Sequence, residues 1–267
     1  ACVKAGSKAS GNHDVAVIYS TVPAACGAVF TQNKMCAAPV LVSREVNKQP
    51  YAQAILVNSG CANACTGAQG LEDAKKMQAH GAEMLGIKPE HAFVCSTGVI
   101  GHFLPMDKLM IGIADAVDAM DEAEGESCAM AIQTTDTFIK KAAYETEIDG
   151  KVVKIAGIAK GAGMIHPNMA TMLTFITTDC AIAPDVLKRA VKAAADKSFN
   201  MVVVDGDTST NDSMIVLANG LAENEIIFSE EHPDYPAFFE MLVACATDLA
   251  KLIAHDGEGA TKFLEIN

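Results

Sequence analysis

The apolar positions of this chain follow two rhythms. Short runs at residues 14–20 (DVAVIYS), 25–30, 54–58 (AILVN), 94–96, 171–177 and 201–205 (MVVVD) are dense in apolar and β-branched side chains and predict buried strands. Elsewhere apolar residues recur at steps of three and four. Ala74, Met77, Gly81 and Met84 form one stripe, Leu109, Ile113, Ala116 and Met120 a second, and Leu187, Ala190, Val191 and Ala194 a third. Phe239, Leu242, Ala246, Leu249 and Ile253 mark the longest. These predict amphipathic helices over residues 71–85, around 109–120, over 184–197 and over 235–254, with Gly86 closing the first. A further helix through residues 128–133 is stopped by the TTDT of 134–137, whose short polar side chains compete for backbone hydrogen bonds. Pro23 divides the first two strand runs, which would suit pairing as a hairpin. Asp149 and Gly150, between arms at residues 142–147 and 151–158, are the strongest hairpin signal in the chain.

The second arm of that hairpin leads into residues 160–179, KGAGMIHPNMATMLTFITTD, around which the chain is organised. Gly161 and Gly163 permit positive φ, Pro167 sets its own φ, and Asn168 tolerates left-handed geometry, so the first part is a loop. A strand begins where the loop ends, and Thr171 stands at the join.

No repeat, low-complexity tract or linker divides the 267 residues, and with 50% hydrophobic and 20% charged residues they suit a mixed α/β protein with a full-sized core. A formal charge of −13 without clustered Lys or Arg argues against a nucleic-acid surface. The nine cysteines are scattered through apolar runs, the pattern of reduced thiols in a cytosol. Cys61 and Cys65 lack a second ligand pair, so no metal is expected there. No apolar run reaches membrane-spanning length and no leader pattern opens the sequence. The acidic loop DGDTSTND at residues 205–212 has oxygen ligands at alternate positions. However, it carries Thr210 where a calcium-binding EF-hand needs Gly and Val216 where it needs Glu, so it reads as a turn bracing its neighbours.

A threonine serves as nucleophile when a base is held beside it, and the most compact arrangement uses the α-amino group of an N-terminal threonine. That amine titrates near neutrality, at about pH 7.7–8.0. Exposing it at Thr171 requires cutting the Ala170–Thr171 bond. His166 is a second candidate base. A lone Ala-Thr pair carries no such signal, since threonine commonly opens strands.

The surroundings change that reading. KGAGMIHPNMATML resembles the self-processing signature of the ornithine acetyltransferase family, also called glutamate N-acetyltransferases. APVLVSRE, AILVNSGCANACTGAQGLEDA, CSTGVIG, TTDTF, VVDGDTSTNDS and DGEGATKF resemble further family blocks, in the family's order along the whole chain. Cys61 departs from the Asn more usual there.

The resemblance implies an α/β fold of layered αββα-like type, similar in layout to N-terminal-nucleophile hydrolases. It implies self-cleavage between Ala170 and Thr171 into an α chain of residues 1–170 and a β chain from 171 to 267 and beyond, assembled as α₂β₂ in the cytoplasm. Thr171 is then acetylated in a ping-pong transfer from N-acetylornithine to glutamate, yielding ornithine and N-acetylglutamate for arginine synthesis. Thr97 and Gly98 match the family's oxyanion hole, and Thr137, Lys160, Thr171 and Glu258 its substrate-binding positions. No metal or organic cofactor is implied, and acetyl-CoA as a second donor stays open. Family members extend past the equivalent of Asn267 with further site residues and start before the equivalent of Ala1, so a longer gene product is expected. Two rival readings follow from the same residues. One is an N-terminal-threonine amidohydrolase or aminopeptidase of the same fold. The other is a binding module whose glycine loop cradles an anion, although no Walker pattern follows Gly161.

Overall fold

The computed structural model describes residues 1–8, 10–120, 125–166 and 172–266. Its centre is one mixed sheet built from β1 (Cys2–Val3), β2 (Val15–Phe30), β3 (Tyr51–Cys61), β4 (Ala92–Val99), β5 (Lys140–Ile148), β6 (Lys151–Lys160), β7 (Leu173–Thr178) and β8 (Ser213–Ala218). The strands lie in the order β4-β3-β2-β8-β7-β6-β5, with β1 added to the start of β2. β3/β4 and β7/β8 run parallel and the other pairs antiparallel. The helices are α1 (Ala38–Val46), α2 (Gly67–Leu85), α3 (Met106–Asp118), α4 (Gly125–Ala131), α5 (Pro184–Asp196) and α6 (Tyr235–His255).

Both faces of the central strands are covered, which is why their sequences are continuous apolar runs rather than alternating ones. In β3, Ala54 and Leu56 join Val15 and Val17 of β2 against α2 and α3, while Ile55 and Val57 face the other way with Phe93, Phe175 and Leu217. α5 and α6 continue the helical layer over β5 to β8, where Ile155, Ile176 and Val216 meet Leu187, Val191, Leu242 and Leu249. α1 covers the edge of the sheet instead: the Ser43 hydroxyl donates to the carbonyl of Val94 in β4 at 2.7 Å and accepts from its N–H at 2.9 Å. That occupies the groups an exposed edge strand would offer another chain. The opposite face of the sheet carries α4 through Cys128 and Ala131, and beside it a cavity of about 950 Å³ lined by Ile18, Ile158, Phe175 and Leu217.

Two expectations change and one holds. Residues 14–20 and 25–30 do not pair with each other; they are one strand, β2, that runs through Pro23. The register against β3 shifts between Tyr19 and Ala24, an irregularity that accommodates a residue with no N–H to give. The first half of β2 lies against β3 and the second half against β8, so this strand joins the two halves of the sheet. MVVVD at 201–205 is not a strand. Met201 and Val203 are exposed, and the Val204 N–H goes to the Ile165 carbonyl in the central loop. The strand in this region is β8, SMIVLA, fully buried directly after the acidic loop. The hairpin at Asp149–Gly150 is as expected, with φ of +52° and +68°, the left-handed pair that a tight two-residue turn requires.

One buried charge network fastens the ends of these elements together. The Lys140 ammonium, at the start of β5, donates to Asp136 Oδ1 at 2.7 Å and to Asp256 Oδ2 at 2.6 Å. The side chains of Lys140 and Asp136 are fully buried and that of Asp256 almost so. Asp136 Oδ1 also accepts the Gly161 N–H at 2.7 Å, and Asp256, at the end of α6, accepts the N–H of Thr137 at 2.9 Å and its hydroxyl. The loop before β5, the end of β6 and the end of α6 therefore meet at one cation. Burial acts to raise the Asp136 carboxyl, but Lys160 and Lys140 hold it below the ordinary range. Burial acts the same way on Asp256, and its bonds from Lys140 and Thr137 outweigh it.

Two expectations test this packing. Gly81 of α2 lies where an added Cβ would sit 2.2 Å from Cδ1 of the fully buried Leu56. In Gly81→Ala the overpacking cost of about 1–3 kcal/mol should exceed the helix-propensity gain of about 1 kcal/mol. The urea midpoint should fall with the slope unchanged. Lys140→Met leaves two buried carboxylates without their cation and should cost about 3–5 kcal/mol. Both carboxyls titrate lower in the folded state than in the unfolded chain, so their contribution is present above about pH 4 and is lost as pH falls through their folded values. Melting curves over pH 3–7 should therefore show the variant's deficit largest at neutral pH and shrinking in acid.

Candidate active site

The central loop, residues 161–166, is held from three sides. Gly161 donates to Asp136, the Ala162 carbonyl accepts the Glu258 N–H at 2.7 Å, and the N–H groups of Met164 and Ile165 both reach the Asp205 carboxylate, at 2.5 and 2.9 Å. Burial acts to raise Asp205, but these backbone donors together with the N–H of Asp207 hold it below the ordinary carboxylate range. The acidic loop thus does brace its neighbour, as its composition predicts, through a carboxylate that gathers backbone N–H groups. The Glu258 carboxylate lies against Gly163, where an added Cβ would come within 2.7 Å of its Cδ, so a side chain at 163 would displace the carboxylate.

Beyond the loop, Ala170 and Thr171 lie outside the described residues, and the chain is described again from Met172. The Met172 N–H donates to Asp212 Oδ1 at 3.1 Å and its carbonyl accepts the Ser213 N–H at 3.1 Å. The segment before the join is therefore anchored on Asp205 and the segment after it on Asp212, the two ends of the same acidic loop.

The predicted residues that are described lie close to one another near the start of β7. Lys160 ends β6, and its Cα partner across the ladder is Leu173, two positions after Thr171. Its side chain is buried, with Nζ 3.4 Å from the Thr97 hydroxyl at the far end of the sheet order. Burial pushes the Lys160 ammonium below the ordinary lysine range, against the attraction of Asp136; Lys140 pushes the same way, and Asp212 and Glu258 oppose it. Such a lysine is more readily neutral than a surface one.

Thr97 and Gly98 end β4 beside Gly60 and Cys61 of β3. Gly98 has φ +128°, and an added Cβ would be 2.4 Å from the Gly60 carbonyl carbon, so backbone contact requires glycine there. Thr97 is buried and Gly98 exposed, which leaves the pair at a rim, the position an oxyanion hole needs. Asn211 fastens this rim to the acidic loop: its side-chain amide donates to the carbonyls of Ala62 at 2.7 Å and Ser96 at 2.8 Å. Thr137 and Glu258 are exposed and linked through Asp256, which binds Thr137 and stands two residues before Glu258. The five described candidate positions, Thr97, Gly98, Thr137, Lys160 and Glu258, thus lie at or just beyond the ends of β4, β6 and α6 and in the loop before β5. His166 makes none of the described bonds that shape this region. Cys61 sits beside the rim, its thiol donating to the His102 carbonyl at 3.2 Å, and burial raises its pKa.

Sequence reasoning read residues 205–212 as a bracing turn without assigning roles to Asp205, Asn211 or Asp212 individually, and gave none to Asp136, Lys140 or Asp256. The signal available was polar residues adjoining apolar runs, as in FIKKAA and DSMIVLA, where a charge must be partnered to be buried. The cavity on the other sheet face is lined by none of the candidate residues.

Comparisons with known proteins agree with this layout. Over 265 residues the chain is 50% identical to the arginine biosynthesis bifunctional protein ArgJ of Geobacillus stearothermophilus, covering 99% of this chain and 64% of that protein. It is 51% identical over 267 residues to the ArgJ of Symbiobacterium thermophilum, covering 66% of it. The chain therefore spans about two thirds of the length of these curated relatives. Among solved structures, ArgJ from Bacillus halodurans superposes with a TM-score of 0.58 at 44% identity, over 63% of this chain and 88% of that one. An ornithine acetyltransferase from Mycobacterium tuberculosis, solved in complex with ornithine, gives 0.56 at 38% identity, over 63% and 90%. An aminopeptidase of Ochrobactrum anthropi, described as a variant of the N-terminal-nucleophile hydrolase fold, gives 0.57 over 91% of this chain and 77% of its own, at 12% identity, a likeness of fold alone. The layered α/β architecture is thus that of these proteins, and with the ArgJ family model matching residues 1–267 the chain belongs to the ArgJ family.

Proposed function

We propose that this chain carries the nucleophile and oxyanion hole of a glutamate N-acetyltransferase of arginine biosynthesis. It cuts itself between Ala170 and Thr171 and moves an acetyl group from N-acetylornithine to glutamate through an acetyl-Thr171 intermediate. The observation that supports the reading is the buried Lys160–Thr97 contact, which brings a proposed oxyanion donor to the lysine that pairs with Leu173, the first residue of β7. The names of the relatives and the ornithine held by a solved relative support the substrate class.

In the cut, the Thr171 hydroxyl attacks the Ala170 carbonyl, the peptide nitrogen leaves as an amine, and water cleaves the resulting ester. Ala170 ends as a carboxylate and Thr171 regains its hydroxyl with a free α-amine. In the transfer, that amine takes the hydroxyl proton as the oxygen attacks the acetamide of N-acetylornithine. The Thr97 hydroxyl and the Gly98 N–H donate to the oxyanion, and ornithine leaves with the proton. The amine of glutamate then attacks the acetyl ester and restores Thr171. Each oxyanion donor would supply about 2.7–4 kcal/mol. Lys160 fits the carboxylate of an amino-acid substrate and Glu258 its ammonium, with Thr137 alongside. Acetyl-CoA as a further donor, an α₂β₂ assembly of residues 1–170 with the chain from Thr171 onward, and a cytoplasmic setting belong to the same reading. No helix among the described residues is long and apolar enough to cross a membrane.

Intact mass tests the cut. The polypeptide as its gene encodes it should yield two fragments divided at Ala170/Thr171 and the Thr171→Ala variant one uncut chain; an uncut wild type removes the nucleophile assignment. Incubation with N-acetylornithine alone separates transfer from hydrolysis. Acetylated Thr171 should accumulate with at most slow release of acetate, whereas rapid release would favour the amidohydrolase.

A further inference from the structure

Asp256 holds the Thr137 hydroxyl by its proton. The hydroxyl lies in hydrogen-bond contact with Oδ1 of the carboxylate, and the Thr137 N–H donates to Oδ2 at 2.9 Å. Oδ2 also takes the Lys140 ammonium at 2.6 Å, with the Asp256 side chain only 2% exposed. A carboxyl buried against an ammonium and a backbone N–H is an anion, because protonating it would strip the buried cation of a partner. Burial acts to raise its pKa, and the bonds from Lys140 and Thr137 outweigh burial. An ionised carboxylate only accepts, and a threonine hydroxyl has one proton. That proton therefore points at Asp256, and the hydroxyl presents lone pairs in every other direction. Thr137 is exposed, and among the described residues no N–H or O–H is bonded to its side-chain oxygen.

The position of Thr137 connects this to the substrate. Asp136, the residue before it, accepts the N–H of Gly161, the residue after Lys160, and Glu258 stands two residues after Asp256. Thr137 is thus tied both to the segment that carries a buried ammonium and to the one that carries an exposed carboxylate. We propose that Asp256 is a positioning residue that sets the polarity of this subsite: by taking the Thr137 proton it leaves a hydroxyl able only to accept, which seats the free side-chain ammonium of the acetylated donor and turns away a carboxylate. This rests on the acetyl-transfer reading above and adds to it which end of the donor Thr137 holds. A hydroxyl free to rotate serves either charge, donating to a carboxylate or accepting from an ammonium. With its proton fixed it discriminates, because a carboxylate placed there meets lone pairs with the Asp256 charge behind them. Glutamate, which enters the second half of the reaction with a side-chain carboxylate, therefore places that group away from Thr137.

The test compares the two half-reactions in the polypeptide as its gene encodes it, since in ping-pong transfer the kcat/KM of each substrate reports its own half. In Asp256→Asn the amide oxygen can keep Lys140 and the Thr137 N–H while its NH2 donates to the Thr137 hydroxyl, which turns the hydroxyl proton outward. The kcat/KM for N-acetylornithine should fall at least about tenfold, the scale of a hydrogen bond to a charged group. The loss should lie chiefly in KM, because the side-chain ammonium does not change during transfer. The kcat/KM for glutamate should stay within about twofold. N-acetylnorvaline, the same carbon chain without the ammonium, should be a poor donor for wild type and lose little more in the variant. Should D256N not fold, Thr137→Val, which removes the acceptor on an exposed loop, should give the same pattern, and Thr137→Ser should recover most of what T137V loses. An unchanged kcat/KM for N-acetylornithine overturns the proposal. Equal losses for N-acetylornithine and N-acetylnorvaline, or for donor and glutamate, mark a merely structural role and overturn it as well. So does a wild type that takes N-acetylnorvaline as readily as N-acetylornithine, with the transferase reading intact; a wild type that transfers no acetyl group from N-acetylornithine removes both.

Discussion

The arrangement depends on the buried Lys140 cation. Lys140 is held between Asp136 and Asp256 with all three side chains out of water, and through them it ties the TTDT loop, the end of β6 and the end of α6 to one point. A buried ion pair adds little net stability compared with apolar packing, because desolvation offsets most of the attraction. What it adds is geometry. Oppositely charged groups with no access to water tolerate few alternative arrangements, so the three chain ends carrying Thr137, Lys160 and Glu258 meet in one register.

From that point the site is built by backbone groups given to carboxylates. Asp205 and Asp212 bracket the acidic loop and take N–H groups from either side of the proposed cleavage site. Asn211, between them, takes hold of the β3/β4 rim where Thr97 and Gly98 lie. One loop of eight residues therefore ties residues 164, 165 and 172 to the β3/β4 rim. The −13 formal charge of the chain has a local counterpart here, since carboxylates are the groups best able to collect several backbone donors at once.

Much of this was legible beforehand. The stripes of α2, α3, α5 and α6 are strong because one face of each meets the sheet and the other meets water, and the Asp149–Gly150 turn is legible because few residues accept two left-handed positions in succession. β2 was misread as two strands because proline is a reliable break except where the ladder skips a bond. MVVVD and SMIVLA look alike as apolar runs. Only the position of the neighbouring β7 and β2 decides that the second is paired and the first lies outside the sheet. Of the site, Thr97, Gly98, Thr137, Lys160 and Glu258 were marked by resemblance, while the six residues that hold them in place were not. Their role is to satisfy groups far away in sequence, as when Asn211 reaches Ala62, and no local pattern records such a debt.

The sequence by itself determined the family, the α/β class, the helices other than α1 and the Asp149–Gly150 turn, because these follow from periodicity, backbone permissiveness and motif blocks that act within a few residues. Only the tertiary structure decided that β2 joins the two halves of the sheet and that Lys160 reaches Thr97 across it. It alone decided that the two ends of an acidic loop become anchors on either side of Thr171. Those outcomes depend on which buried donors and acceptors find one another when water is excluded. That pairing is settled by the whole fold, since a charge or an N–H is buried at tolerable cost only where a partner has arrived from elsewhere in the chain.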